Sequence, residues 1–148
     1  MQHFRIEREA DGIAQLVFDK AGATVNTLSQ EVLGELNEAL DLLDREPPKG
    51  LVIRSGKDSG FIAGADVDEF GTITDEAGAL AIVRRGWDTF ERLAAVKYPT
   101  LALIRGFCLG GGLGGAMLVE RIESSPPTRA ALASPQGAER LGAGPAAL

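Results

Sequence analysis

Two stretches of helical periodicity, each set between short apolar runs, constrain this chain more than anything else in it. The run "SQEVLGELNEALDLLDRE" puts Val32, Leu33, Leu36, Leu40 and Leu43 on one stripe, with Ser29 placed as N-cap and Pro47-Pro48 as the stop. "GLVIRS" (50–55) then reads as a strand buried on both faces. Asp75 to Val96 reads as a second long helix with Ala79, Ile82, Val83, Trp87, Phe90 and Leu93 inward, and "TLALIRG" (100–106) as a returning strand. Strand, helix, strand, helix predicts parallel pairing through right-handed crossovers, and hence an α/β fold. Ahead of this, the alternating runs Phe4–Glu9 and Ile13–Asp19 flank Asp11 and Gly12, which predicts a β-hairpin.

At 148 residues there is room for one domain with a sizeable core. The net charge of −6, with no basic stripe interleaved with aromatics, argues against a nucleic-acid partner. No apolar run reaches the roughly 18–20 residues of a membrane span. The N-terminal "MQHFRIEREADG" has no signal-peptide core. A single cysteine, Cys108, excludes an internal disulfide and suits a reducing cytoplasm. A single histidine, His3, sits near a chain end where fraying is expected, which speaks against a histidine metal cluster or a Ser-His triad. No metal is expected.

Two loops share one build. "FIAGADVDEF" and "GFCLGGGLGG" each run from an extended segment through glycines into the first turn of a helix. Helix N-termini present unpaired N–H groups and the positive end of a dipole, so two of them facing one point would grip an anionic oxygen. The alternative is that both are tight strand-to-helix turns. Gly110, Gly112 and Gly115 satisfy G-x-G-x-x-G, but "GFCL" intervenes after the strand, and no second strand ending in an acidic residue follows. A phosphate loop needs Gly-Lys-Ser/Thr, which is absent. Cys108, between Phe107 and Leu109, reads as a buried, inert thiol.

Together "VNTLS" (25–29), "GLVIRSGKDSGFIAGADVDEF" (50–70), "KYPTLALIRG" (97–106) and "GFCLGGGL" (106–113) resemble the crotonase, or enoyl-CoA hydratase/isomerase, superfamily over residues 1–113. "NTLS" is more similar to the multifunctional fatty-acid oxidation alpha-subunit branch, where a hydratase domain precedes a 3-hydroxyacyl-CoA dehydrogenase domain. The resemblance implies a crotonase-like (ClpP/crotonase) spiral of ββα units, here incomplete, and a site for acyl-CoA thioesters. Coenzyme A would be part of the substrate, and no separate cofactor is implied. By position, the backbone N–H groups of Ala65 and Gly111 would form the oxyanion hole. Thr24, Val25, Asn26, Ala63, Gly64, Asp66 and Gly110 would lie along the substrate. Lys57 would meet a phosphate or simply be solvated, and Asp66 is expected to be an N-cap rather than a base. Family members oligomerise, an expectation that does not extend firmly to this chain.

The pattern then breaks. In hydratases of this family the triple glycine continues "GGG-x-E", and that glutamate works on water with a second one about twenty residues on. Hydration needs a base for water and an acid for the α-carbon. Here Gly114 stands in the first position, and neither "ELALAC" nor "G-x-PE" follows. Glu120 would lie about 9 Å further along a helix and off its face, and Glu123 and Glu139 are further still. Residues 114–148 hold no Phe, Tyr or Trp and much Ala, Gly, Pro and Arg, which predicts a divergent, mostly disordered tail. The expectation is a cytoplasmic hydratase-family domain that has lost its hydratase activity. The alternatives are a non-catalytic acyl-CoA-binding or interaction module and an unstable fragment of a frameshifted gene. Without later elements, the sheet is expected to end on an open edge at 100–106, with the inner face of the 75–96 helix partly wet.

Overall fold

Gly12, at φ +91°, turns the chain between β1 (Phe4–Arg8) and β2 (Ile13–Phe18), where the Glu9 N–H donates to the Ile13 carbonyl at 2.8 Å. The two strands pair antiparallel, as the hairpin signal predicts. In this computed structural model, residues 1–71 and 73–110 are described together with the backbone of 121–131.

The Ser29 hydroxyl accepts the Val32 N–H at 3.2 Å and starts α1 (Gln30–Arg45). Its apolar stripe, Val32, Leu33, Leu36, Leu40 and Leu43, is buried throughout. β3 (Gly50–Ser55) follows, then a short β4 (Gly60–Ile62) inside what the sequence presents only as a glycine-rich loop. α2 (Val67–Phe70) is a single turn capped by Asp66, and α3 (Glu76–Ala94) is capped by Asp75, whose carboxylate accepts the Gly78 N–H at 2.7 Å. β5 (Thr100–Leu109) runs past the expected end at Gly106. β6 (Arg121–Ala131) completes the elements described.

β2, β3 and β5 pair parallel in that order, which is the crossover arrangement expected from the strand–helix alternation. β3 meets β5 at residues 100–103, and β4 meets it at Phe107 and Cys108. β6 pairs parallel along β5 from Leu101 to Leu109. This corrects the expected open edge at 100–106: β5 has strands on both sides, and one of them comes from the segment expected to be largely disordered.

The core joins Leu16, Phe18, Leu40, Leu43, Leu51, Ala102 and Ile104 from both layers. Phe4 and Phe18 stack across the hairpin with ring centroids 4.6 Å apart. α3 packs more loosely than α1. Leu93 and Thr89 are buried, while Val83 and Trp87, read as inward-facing, are 64% and 57% exposed. The partly uncovered inner face is as expected.

Candidate oxyanion and acyl site

Residues 26–30 run alongside residues 63–69, and this contact builds the site. Ala63 N–H donates to Asn26 O at 2.8 Å, Leu28 N–H to Gly64 O at 2.9 Å, and Asp66 N–H to Leu28 O at 2.8 Å. Leu28 and Ala65 are therefore bridge partners in a parallel pairing. In such a pairing the flanking residues 64 and 66 bond to Leu28, so the N–H of Ala65 points the other way. Among the described residues it has no hydrogen-bond partner. It is a main-chain donor held by its neighbours and left open, the feature an oxyanion site requires.

The second glycine loop comes to the same place. Gly64 has φ +117° and Gly110 φ +50°, conformations that favour glycine. A Cβ on Gly110 would lie 3.8 Å from the Gly64 Cα, so the two loops touch at their glycines. Gly111, the second expected donor, lies outside the described residues, as do Gly114, Glu120 and Glu139. Glu123 falls on β6, described here as backbone alone.

A cleft of about 240 Å³ opens beside Ala65, walled by Leu28, Leu33, Ile82, Val83, Trp87 and Phe90, with Asp66 and Glu69 as its acidic groups. It explains why α3 carries apolar side chains that do not reach the core. The signal was in the sequence as a helical stripe, but a stripe does not distinguish a core face from a cleft wall. A second hollow, beside Gly50, Leu51, Pro99 and Thr100, has no titratable group in its lining.

The polar groups near the site are largely committed. Asp66 caps α2 by accepting the Asp68 N–H at 3.2 Å, and it pairs with Lys20 and the Thr27 hydroxyl. The Lys20 ammonium, more than any other neighbour, holds the Asp66 carboxyl below its ordinary value. That fits an N-cap and an ion-pair partner, not a base, because a lowered pKa weakens proton affinity. Glu69 reaches across from α2, and both its oxygens lie 2.9 Å from the Gln30 N–H at the start of α1.

Lys57 is neither solvated nor free for a phosphate, which corrects both readings of it. Its ammonium, with the side chain 14% exposed, is 2.6 Å from Asp19 Oδ1 and donates to the Lys20 carbonyl at 2.8 Å. Asn26 is a buried junction. Its Nδ2 donates toward the carbonyls of Phe18 and Phe61 and the Ser55 hydroxyl at 2.9–3.0 Å, and its Oδ1 accepts the Lys20 N–H at 2.9 Å. Thr24 and Val25 are exposed beside it, and the Thr24 carbonyl accepts the Ser59 hydroxyl at 2.8 Å.

His3 is buried rather than fraying. Its Nδ1 accepts the Ala21 N–H at 3.1 Å, and its own N–H is held by Glu35 at 2.7 Å. A ring nitrogen of His3 and carboxylate oxygens of Glu31 and Glu35 lie within 4.8 Å of one another, a spacing that suits a cation. However, an Nδ1 that accepts leaves the proton on Nε2, so the ring has no lone pair to offer there. Cys108 is buried, and burial pushes its thiol up to about 12, as an inert thiol requires.

The sequence profile for enoyl-CoA hydratase/isomerase matches residues 8–122. The match runs past Leu113, so the family likeness does not stop where the composition changes. A fatty acid oxidation complex subunit alpha of Shewanella sp. (strain ANA-3) is 37% identical over 134 residues, 90% of this chain and 19% of that protein. The chain thus spans about a fifth of the length of the curated relatives it matches. Among solved structures, an enoyl-CoA hydratase from Thermoplasma volcanium superposes with a TM-score of 0.79 at 23% identity, covering 88% of this chain and 51% of the other. Pseudomonas aeruginosa DspI gives 0.79 at 27% identity, covering 95% and 52%. The α/β architecture is that of the crotonase fold.

Proposed function

The chain belongs to the enoyl-CoA hydratase/isomerase family, and from that premise we propose that it binds acyl-CoA thioesters of fatty-acid oxidation without hydrating them. The Ala65 N–H, without a hydrogen-bond partner among the described residues and in the lining of an apolar cleft, carries this reading. The thioester oxygen would sit against Ala65 and Gly111, with the acyl chain along Leu28, Leu33, Ile82 and Trp87. A backbone donor fixed before substrate arrives needs no reorganisation as negative charge develops on that oxygen. Thr24, Val25, Ala63, Gly64 and Gly110 would follow the coenzyme A moiety as main-chain contacts. The side chain of Asn26 would stay in the fold, and Asp66 would hold the loop rather than move a proton.

We assign the chemical deficit to Gly114, which cannot transfer a proton, and to the missing second glutamate. On this reading residues 1–113 carry the site; beyond them the family match continues to residue 122, and residues 121–131 supply β6. The acidic net charge and the single buried cysteine suit a cytoplasmic protein with a small-molecule ligand rather than a nucleic-acid partner.

Trp87, the one tryptophan in the chain, stands in the cleft wall and reports on occupancy. Its fluorescence should change saturably with crotonyl-CoA and octanoyl-CoA and hardly at all with free coenzyme A. Equal responses to all three would overturn the acyl assignment.

A further inference from the structure

The Ala65 donor is followed by a short turn anchored at Asp66, which pairs with Lys20 and the Thr27 hydroxyl. Val67, the residue after the Asp66 cap, is 74% exposed, and α2 is one turn long. On one side of Ala65, the main-chain bonds to Leu28 fix residues 64 and 66. On the other, side chains tie the chain back: Asp66 to Lys20 and Thr27, and beyond it Glu69, which accepts the Gln30 N–H with both oxygens at 2.9 Å. Gln30 is the first residue of α1, and its N–H has no partner within the helix. A carboxylate there also meets the positive end of the α1 dipole. One side chain thus ends the pairing of residues 26–30 with 63–69 and joins α2 to the first turn of a long, well-buried helix.

We propose that Glu69 is a positioning residue for the Ala65 N–H: by fastening α2 to the start of α1, it holds the 63–66 backbone in the register that turns this donor into the cleft. This rests on the reading of Ala65 as an oxyanion donor, but the tie itself can be tested without a ligand. Glu69 also lines the cleft, so a direct role as base is the rival. The two roles differ in what they ask of the side chain. Holding Gln30 needs an acceptor oxygen, which an amide also has, whereas moving a proton needs the carboxylate.

The experiment uses the full chain, as wild type, Glu69→Gln and Glu69→Ala. Amide hydrogen exchange is followed at Leu28, Gln30 and Asp66, with Leu16 and Ile53 in the core as internal references. A charge-assisted hydrogen bond of this kind is worth enough that its loss should speed local exchange at least about tenfold. The expected result is that rise in Glu69→Ala at the three local amides, near-wild-type protection in Glu69→Gln, and unchanged core amides. Unchanged local exchange in Glu69→Ala would overturn the proposal. So would exchange that rises equally at Leu16 and Ile53, which would make Glu69 a residue of global stability.

The second readout is the absorbance of para-dimethylaminocinnamoyl-CoA, whose band moves to longer wavelength when its carbonyl is polarised. The red shift should shrink in Glu69→Ala at saturating probe and return in Glu69→Gln. A full shift in Glu69→Ala overturns the positioning role. Abolition in Glu69→Gln of the slow α-proton exchange of bound butyryl-CoA, with the shift persisting, overturns it in favour of a base. If wild type shows no shift at all, it is the thioester reading that fails, and the exchange data still decide the tie.

Discussion

Gly106 and Gly60 approach so closely that a Cβ on Gly106 would stand 2.9 Å from the Gly60 Cα, and one on Gly60 would stand 2.6 Å from the Phe107 nitrogen. Gly106 also has φ +68°. β5 changes partner at this point, from β3 to β4, and its register with β6 shifts between Arg105 and Phe107. The glycine pair is what lets one long strand serve two neighbours on the same edge.

Gly106→Ala combines a left-handed conformation with a backbone clash. The conformational part alone costs about 1–2 kcal/mol, and the clash adds to it. The urea midpoint should fall clearly in Gly106→Ala. Gly22→Ala is the control, since Gly22 has φ +70° but nothing within 4 Å of its Cβ position. Equal losses in both would show that close approach contributes nothing.

Asn26 gives the second prediction. Replacing it by Ala removes the donor to the buried Phe61 carbonyl and the acceptor of the Lys20 N–H, each group left unsatisfied costing about 1–3 kcal/mol, while the Phe18 carbonyl keeps the Gly56 N–H at 2.8 Å. Asn26→Asp keeps the acceptor for Lys20 but turns a carboxylate toward two carbonyls. Its folded pKa should then lie above the unfolded value near 3.9. The penalty is greatest above that raised folded pKa and shrinks as pH falls through it. Thermal melts of Asn26→Asp at pH 7.5 and 4.5 should therefore converge toward wild type at the lower pH, and a gap that widens on acidification would refute this.

Much of this arrangement was legible because it is local. Ser29, Asp66 and Asp75 announce their helices through a short polar side chain ahead of an apolar run, and Gly12 announces its turn. What was hidden depends on partners distant in sequence. β4 is a three-residue strand whose existence depends on Phe107 and Cys108, and a run that short carries no periodicity. β6 contains two prolines and little apolar bulk, so composition reads it as tail while pairing with β5 makes it a strand. Lys57 looks like a loop lysine until Asp19 arrives from the end of the hairpin. His3 looks like a loose end until Ala21 and Glu35 enclose it.

Acid should weaken the fold through the same ion pairs. The Lys57 ammonium holds Asp19, and the Lys20 ammonium holds Asp66, below their ordinary carboxyl values. A depressed folded pKa contributes stability that is present above the unfolded value near 3.9 and is lost as pH falls through the lowered folded value. Urea midpoints should hold from pH 7 to about 5 and drop below about pH 4. Asp66→Asn should lower the midpoint at pH 7 and narrow the difference between pH 7 and pH 3. An undiminished difference would place the acid sensitivity elsewhere.

The last prediction concerns turnover. General acid–base groups typically contribute factors of about 10²–10⁴ in rate, and the proposed reading puts Gly114 at the position of one and leaves the other unfilled. The chain should therefore hydrate crotonyl-CoA at no more than a trace rate while still binding it at Ala65. Gly114→Glu alone should leave that rate low, because a single carboxylate supplies a base for water without the partner that protonates the α-carbon. Polarisation without proton transfer also predicts that the α-protons of a bound saturated acyl-CoA exchange with deuterated solvent slowly in wild type and faster in Gly114→Glu, since enolate formation needs one base only. Nuclear magnetic resonance of butyryl-CoA in deuterium oxide reads both rates. Robust hydration by the unmodified chain would overturn the assignment of Gly114 as the lost group, and Glu69 and Glu120 would be the carboxylates to replace next.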